Sequence, residues 1–179
     1  MLDIERELRL LAEHKIDFVV IGGIAARAHG SFRETFDLDV CYARDRENLN
    51  RLAAFLGSVH AALRGAPRDI PFRLDAETLH RGLNFTFETD IGALDLLGEV
   101  RGIGGYGECL ENCVSIEMFG YVFKVLALEK LIIAKRTAGR PKDLMMLPEL
   151  EAILEYQEIH KAAGEEGTDD DSKSDTKRY

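Results

Sequence analysis

Apolar positions recur along the chain with two different periods, and the switches between them mark out its elements. Ile4, Leu8 and Leu11 share one face at helical spacing behind a capping Asp3, so the chain is predicted to open on an amphipathic helix. Phe18-Val19-Val20-Ile21 is an unbroken apolar run, as in a strand buried on both faces, and it leads straight into Gly22-Gly23. A short helical stretch over 24–28 follows and breaks at His29-Gly30-Ser31. Alternation then predicts a strand from Phe36 to Tyr42. Asp37, Asp39 and Cys41 fall on one face, and Leu38, Val40 and Tyr42 on the other. Asp45 is placed to cap a helix carrying Leu49, Leu52, Ala53 and Leu56, with Gly57 at its end.

The pattern fades over 60–80, where a loop with one short helix near Asp75 to His80 is predicted. Two strands, about Leu83–Thr89 and Ala93–Leu97, are joined at Asp90-Ile91-Gly92. A Gly-rich loop leads to a second hairpin, Val114–Met118 and Tyr121–Val125, turning at Phe119-Gly120. Helical patterns cover 127–138 and begin again at Pro148, with a turn near Lys142 to Leu147 between them. Strands and helices alternate early and hairpins dominate later. The predicted fold is therefore α/β (α+β), with a mixed, twisted sheet flanked by helices.

Composition adds boundaries. The formal charge is −9, and much of the acid lies near the end, at Glu165, Glu166, Asp169, Asp170, Asp171 and Asp175. Nothing apolar stands between Gly164 and Tyr179 to offset the entropy of ordering. One domain over 1–160 and a disordered acidic tail over 161–179 are expected. The mildly acidic body argues against a broad nucleic-acid surface. No apolar run is long enough to span a membrane, and the acidic start at Leu2 to Glu13 does not read as a secretion signal. Cys41, Cys109 and Cys113 cannot all pair, and Cys109 and Cys113 make only half of a zinc spacing. Buried or idle thiols in a reducing cytoplasm are expected.

The chemistry concentrates in Val20-Ile21-Gly22-Gly23 and Asp37-Leu38-Asp39-Val40. A buried strand delivers two glycines to a helix start, where a phosphate could approach closely. Alternate carboxylates on the next strand point the same way. Two like charges facing one cavity are costly without a cation, and hard oxygen donors suit Mg²⁺. Aspartate is depleted in strands, so Asp37, Asp39 and Asp95, all within apolar runs, are poorly explained as solvated residues.

These residues resemble the nucleotidyltransferase superfamily that includes DNA polymerase β. Its signature is a hydrophobic residue, Gly, and Gly or Ser, followed by Asp, a hydrophobic residue and Asp or Glu. Ile21-Gly22-Gly23 and Asp37-Leu38-Asp39 meet it at the long end of the usual spacing. The longer string Gly22-Gly23-Ile24-Ala25-Ala26, His29-Gly30, Arg33, Thr35, Asp37-Leu38-Asp39 is similar to AbiEii-like toxins and related nucleotidyltransferases of bacteria and archaea. The resemblance covers about residues 15–145 and implies a third carboxylate on a later strand, Asp95 in Ala93-Leu94-Asp95-Leu96-Leu97. It also implies two Mg²⁺ ions (or Mn²⁺) at Asp37, Asp39 and Asp95, with an NTP, expected to be ATP, at Gly22, Gly23 and Arg33. An NMP would pass to a hydroxyl of a protein, a tRNA or a small molecule, with a toxin–antitoxin role in view. The alternative is a non-catalytic nucleotide- or RNA-binding module. So short a body leaves the acceptor surface to a partner chain or a homodimer.

Other positions carry two readings each. Arg33 either clamps phosphate or lies on the surface, Thr35 supports its loop or touches nucleotide, and His29 caps a helix or meets nucleotide. Lys135 falls on the apolar stripe of its helix, so it either snorkels past the end or reaches an anion in the cleft. Arg140-Pro141-Lys142-Asp143 resembles a run in similar enzymes, but Met146 stands where those carry another Asp. The glycines of Gly102-Ile103-Gly104-Gly105-Tyr106-Gly107 match a dinucleotide-binding pattern without the helix it requires, and a flexible flap is expected there.

Overall fold

The run Phe18–Ile21 becomes β1, an interior strand of a seven-stranded sheet. The computed structural model describes residues 3–67 and 72–166. Along the chain, α1 (Ile4–Glu13), β1, α2 (Gly22–Ala28), β2 (Leu38–Tyr42) and α3 (Arg46–Ser58) precede a short β3 (Ala62–Leu63). Then come α4 (Ala76–Arg81), β4 (Asn84–Thr89), β5 (Gly92–Leu97), α5 (Tyr106–Glu111), β6 (Cys113–Met118) and β7 (Tyr121–Leu126). Three helices close the described chain: α6 (Leu128–Ala138), α7 (Pro141–Leu144) and α8 (Leu147–Glu166).

The strand order is β3-β4-β5-β2-β1-β7-β6, and the sheet is mixed. β1 pairs antiparallel with β2 and parallel with β7, while β2 pairs parallel with β5. Two outer hairpins, β4–β5 and β6–β7, extend the sheet on either side. The middle strands are buried on both faces, which is why Phe18–Ile21 shows no alternation. Asp3, Asp45 and Asp75 accept from the backbone N–H groups of Arg6, Asn48 and Thr78, capping α1, α3 and α4. No helix among the described residues is long and apolar enough to cross a membrane.

Several elements differ from the sequence pattern. β2 begins at Leu38, and Phe36, 77% exposed, lies outside it. α3 runs through Gly57 to Ser58, and α2 begins at Gly22 itself. The glycine loop is a packed turn rather than a flap. Val100 and Gly104 bridge across it, and a Cβ on Gly102 would lie 2.6 Å from Thr137 Oγ1 of α6. A helix, α5, does follow that loop, but β5 and β6 are far apart in the sheet, so no parallel dinucleotide-binding unit forms. α8 continues to Glu166, past the expected boundary at 160. The rest of the expected tail, 167–179, lies outside the described residues.

Candidate active site

Register brings the acids together. Parallel pairing sets Asp39 of β2 beside Asp95 of β5, and antiparallel pairing sets Ile21, the last residue of β1, beside Asp39. Directly paired residues project from the same face of a sheet. Asp37 precedes β2, and Thr35 Oγ1 lies 3.2 Å from both its backbone oxygen and its Oδ1. One carboxylate oxygen from each of Asp37, Asp39 and Asp95 lies within 4.8 Å of the others. The supporting role of Thr35 is the one the geometry shows.

The glycines are explained by these side chains. Gly22 has φ +64°, and a Cβ there would lie 1.9 Å from Asp39 Oδ2. A Cβ on Gly23 would lie 2.3 Å from Thr35 Oγ1. The Gly23 N–H also lies where it favours the ionised form of the Asp39 carboxylate. The room beside the glycines is thus shared with an acid and a hydroxyl, and both glycines line the cleft.

Burial, then the charges of Asp37 and Asp95, push the Asp39 carboxyl up to about 6, against the opposing pull of Lys135 and the Gly23 N–H. Asp95 is also raised, by burial first; the Arg64 guanidinium opposes that shift and the Asp37 charge adds to it. Among the described residues no cation hydrogen-bonds Asp37 or Asp39. Three hard oxygen donors crowded together, with Asp39 and Asp95 reluctant to ionise, fit a divalent ion such as Mg²⁺ or Mn²⁺.

The acids open onto a cleft of about 690 Å³ that Gly22, Gly23, Arg33, Lys135, Arg101 and Lys142 also line. Arg33 lies in it, but its Nε donates to Glu149 at 2.8 Å and its Nη2 to the Met145 carbonyl at 2.8 Å. Ser31 Oγ and the Phe32 N–H donate to the same Glu149 carboxylate, so the loop before the acids is tied to α8. Lys135 Nζ donates to Asp143 Oδ1 at 3.0 Å, with side chains 12% and 0% exposed. Burial alone would raise the Asp143 carboxyl, but donation from Arg140 and Lys135 outweighs it and holds the group below its usual range. His29 Nε2 lies 2.8 Å from the Leu126 carbonyl, which gives it a packing role. Arg101 and Lys142 line the cleft without an ion pair among the described residues. Sequence reasoning passed over Arg101, Asp143 as a buried anchor, and Arg64 beside Asp95. The Arg140–Asp143 run hinted at the second, while nothing in the faint stretch over 60–80 marked Arg64.

No family model and no curated protein matches the sequence. Solved structures do. The lincosamide antibiotic adenylyltransferase LnuA, solved with lincomycin bound, aligns over 86% of this chain and 98% of its own, with TM-score 0.56 and 13% identity. ANT(2″)-Ia in complex with adenylyl-2″-tobramycin aligns over 89% and 93%, with TM-score 0.56 and 17% identity. A Thermotoga maritima protein assigned as a nucleotidyltransferase, TM1012, aligns over 92% and 96%, with TM-score 0.50 and 15% identity. The chain has the nucleotidyltransferase fold. Each of these comparisons spans most of both chains. Within this nucleotidyltransferase fold, the three aspartates stand on the paired strands β2 and β5 and on the residue just before β2.

Proposed function

We propose that the protein is a Mg²⁺-dependent nucleotidyltransferase that moves the NMP of an NTP, with ATP as donor, to a hydroxyl of a small-molecule acceptor. The observation that carries this reading is the convergence of Asp37, Asp39 and Asp95 within 4.8 Å at the wall of the cleft. These residues would hold the divalent ions, which when bound neutralise phosphate charge and acidify an acceptor hydroxyl. Asp95, whose Oδ1 is engaged by Arg64, would offer its other oxygen to an ion, and the acidified acceptor hydroxyl would give its proton to solvent. The acceptor oxygen then bonds the α-phosphorus, the bond to the β-phosphate oxygen breaks, and pyrophosphate leaves. Lys142 and Arg101 are free to meet phosphate oxygens. Gly22 and Gly23 act by seating Asp39 and Thr35. Lys135 and Arg33 contribute from fixed positions on the cleft wall.

A small acceptor is supported by the cleft volume and by solved neighbours, one bound to lincomycin and one in complex with adenylyl-2″-tobramycin. One observation favours a second reading, action on a protein or tRNA with a partner chain. Residues 155–161 of α8 are exposed, Tyr156 and Ile159 among them, and the one hydrogen bond from this stretch to the body among the described residues is Gln157 donating to the His29 carbonyl at 3.3 Å. Incubation with α-labelled NTPs, Mg²⁺ and either a library of hydroxylated small molecules or total protein and tRNA separates the two. Label on a small molecule, dependent on Asp39, supports the first. Label on macromolecules alone supports the second. No transfer to any acceptor overturns both.

A further inference from the structure

The third acid of the cluster differs from the other two in having a resident cation. Arg64 follows β3 directly, and its backbone N–H donates to the Thr86 carbonyl at 2.9 Å, which fixes it at the edge of the β4 ladder. From there its side chain crosses β4. Nη2 donates to the Phe87 carbonyl at 3.3 Å and to Asp95 Oδ1 at 2.6 Å. The two side chains are 32% and 17% exposed, and the buried Arg64 Nε has no partner. The pair is part-buried, so solvent screens it less than it would an ion pair on the open surface. Asp37 meets the Thr35 hydroxyl, and among the described residues Asp95 alone of the three accepts a hydrogen bond from a cationic side chain.

We propose that Arg64 is a counter-ion built into the metal site, a positioning residue that holds Asp95 Oδ1 and leaves one oxygen of that carboxylate to a divalent ion. The inference rests on reading Asp37, Asp39 and Asp95 as the metal site. A fixed positive charge beside the cluster and the loss of one donor oxygen both weaken binding of a bare ion. Triphosphate oxygens supply the missing negative charge and ligands. Metal and nucleotide therefore bind cooperatively, and a metal-loaded site without nucleotide is sparsely populated. Arg64 thus sets the order in which the site fills.

Mn²⁺ binding, followed by the electron paramagnetic resonance signal of the free ion, tests this without recourse to activity. Wild type, Arg64→Gln and Arg64→Lys are titrated with and without a non-hydrolysable ATP analogue. Removing the charge in Arg64→Gln is expected to tighten Mn²⁺ binding roughly tenfold or more in the absence of the analogue. Arg64→Lys, which keeps the charge, is expected to stay near wild type, and the analogue is expected to narrow the gap between Arg64→Gln and wild type. Equal or weaker binding by Arg64→Gln overturns the proposal, as does an Arg64→Lys protein that binds as tightly as the Gln variant should. If the Gln variant does not fold, the Lys variant decides: wild-type affinity supports the proposal and tightened affinity overturns it. Should no protein bind Mn²⁺ under either condition, the metal-site reading fails and this inference with it. Mn²⁺ binding that Asp39→Asn abolishes but Arg64→Gln leaves unchanged sinks this inference alone.

Discussion

Glu7 and Asp39 are carboxyl groups placed where ionisation is costly. Glu7 is buried in α1 with neither side-chain oxygen hydrogen-bonded, and burial, followed by the charges of Asp3 and Asp37, pushes it up to about 8. Its ordinary value is 4.5, so the folded protein holds a proton there that the unfolded chain releases. The stability this gives is fully present below about pH 4.5 and is lost as pH rises through the folded value near 8. Denaturant titrations at pH 5 and pH 8 should show that decline in wild type, and Glu7→Gln should flatten it. Asp39 behaves likewise between its ordinary 3.8 and about 6. Asp39→Asn should therefore raise the melting temperature of metal-free protein at pH 7 while abolishing transfer, as scanning calorimetry in EDTA and a transfer assay would show. A lower melting temperature would mean that the three carboxylates do not repel one another in the fold. Asp95→Asn should not give the same gain, because it leaves Arg64 without its acid.

Between elements, the contact with the clearest consequence is the one joining α6 to α7. Lys135 lies on the apolar stripe of α6 and donates to the fully buried Asp143, which also accepts from Arg140. Lys135→Ala would leave that buried carboxylate short of a donor, at a cost of about 1–3 kcal/mol. Chemical denaturation without nucleotide should reveal the loss. An unchanged midpoint, with weakened nucleotide binding, would place Lys135 in the ligand's service alone. The stripe position was legible in the sequence because helical spacing sets it. The partner was not, since Asp143 lies beyond a helix break and only the fold says which side of α7 turns inward. The Phe36–Tyr42 alternation likewise showed which side chains share a face, but it overran the strand by two residues. Phe36 and Asp37 continue the alternation without a hydrogen-bonded neighbour strand.

For the molecule as a whole, the first turns of α8 carry most of its contacts with the body among the described residues. Leu150 is fully buried, and Glu149 gathers Ser31, Phe32 and Arg33. From Glu155 to Lys161 every residue is exposed. A chain ended after His160 should melt within about 2 °C of the full chain, since surface changes of this kind seldom exceed about 0.5 kcal/mol. A chain ended before Leu147 should melt far lower and lose transfer, because the loop bearing Arg33 loses its anchor. Differential scanning fluorimetry on the two truncations checks both outcomes. A large drop for the longer one would show that the end of α8 docks on the body.

The sequence by itself determined most of the element order (though not β3 or α5), the mixed sheet, and the placing of Gly22-Gly23 after a buried strand ahead of Asp37 and Asp39. These follow from periodicity and from residues with few conformational choices, which act over a few neighbours. Tertiary structure alone decided what required distant segments to meet. The parallel pairing of β2 with β5 set Asp95 beside Asp39 by register rather than by motif. The fold also packed the Asp39 and Thr35 side chains against Gly22 and Gly23. Arg33 was drawn off to α8, Lys135 to Asp143, and Arg64 was carried from a featureless stretch to the third carboxylate. Long charged side chains reach whatever partner the fold brings near. Their periodicity shows which way they leave the backbone, and only the folded chain shows where they end.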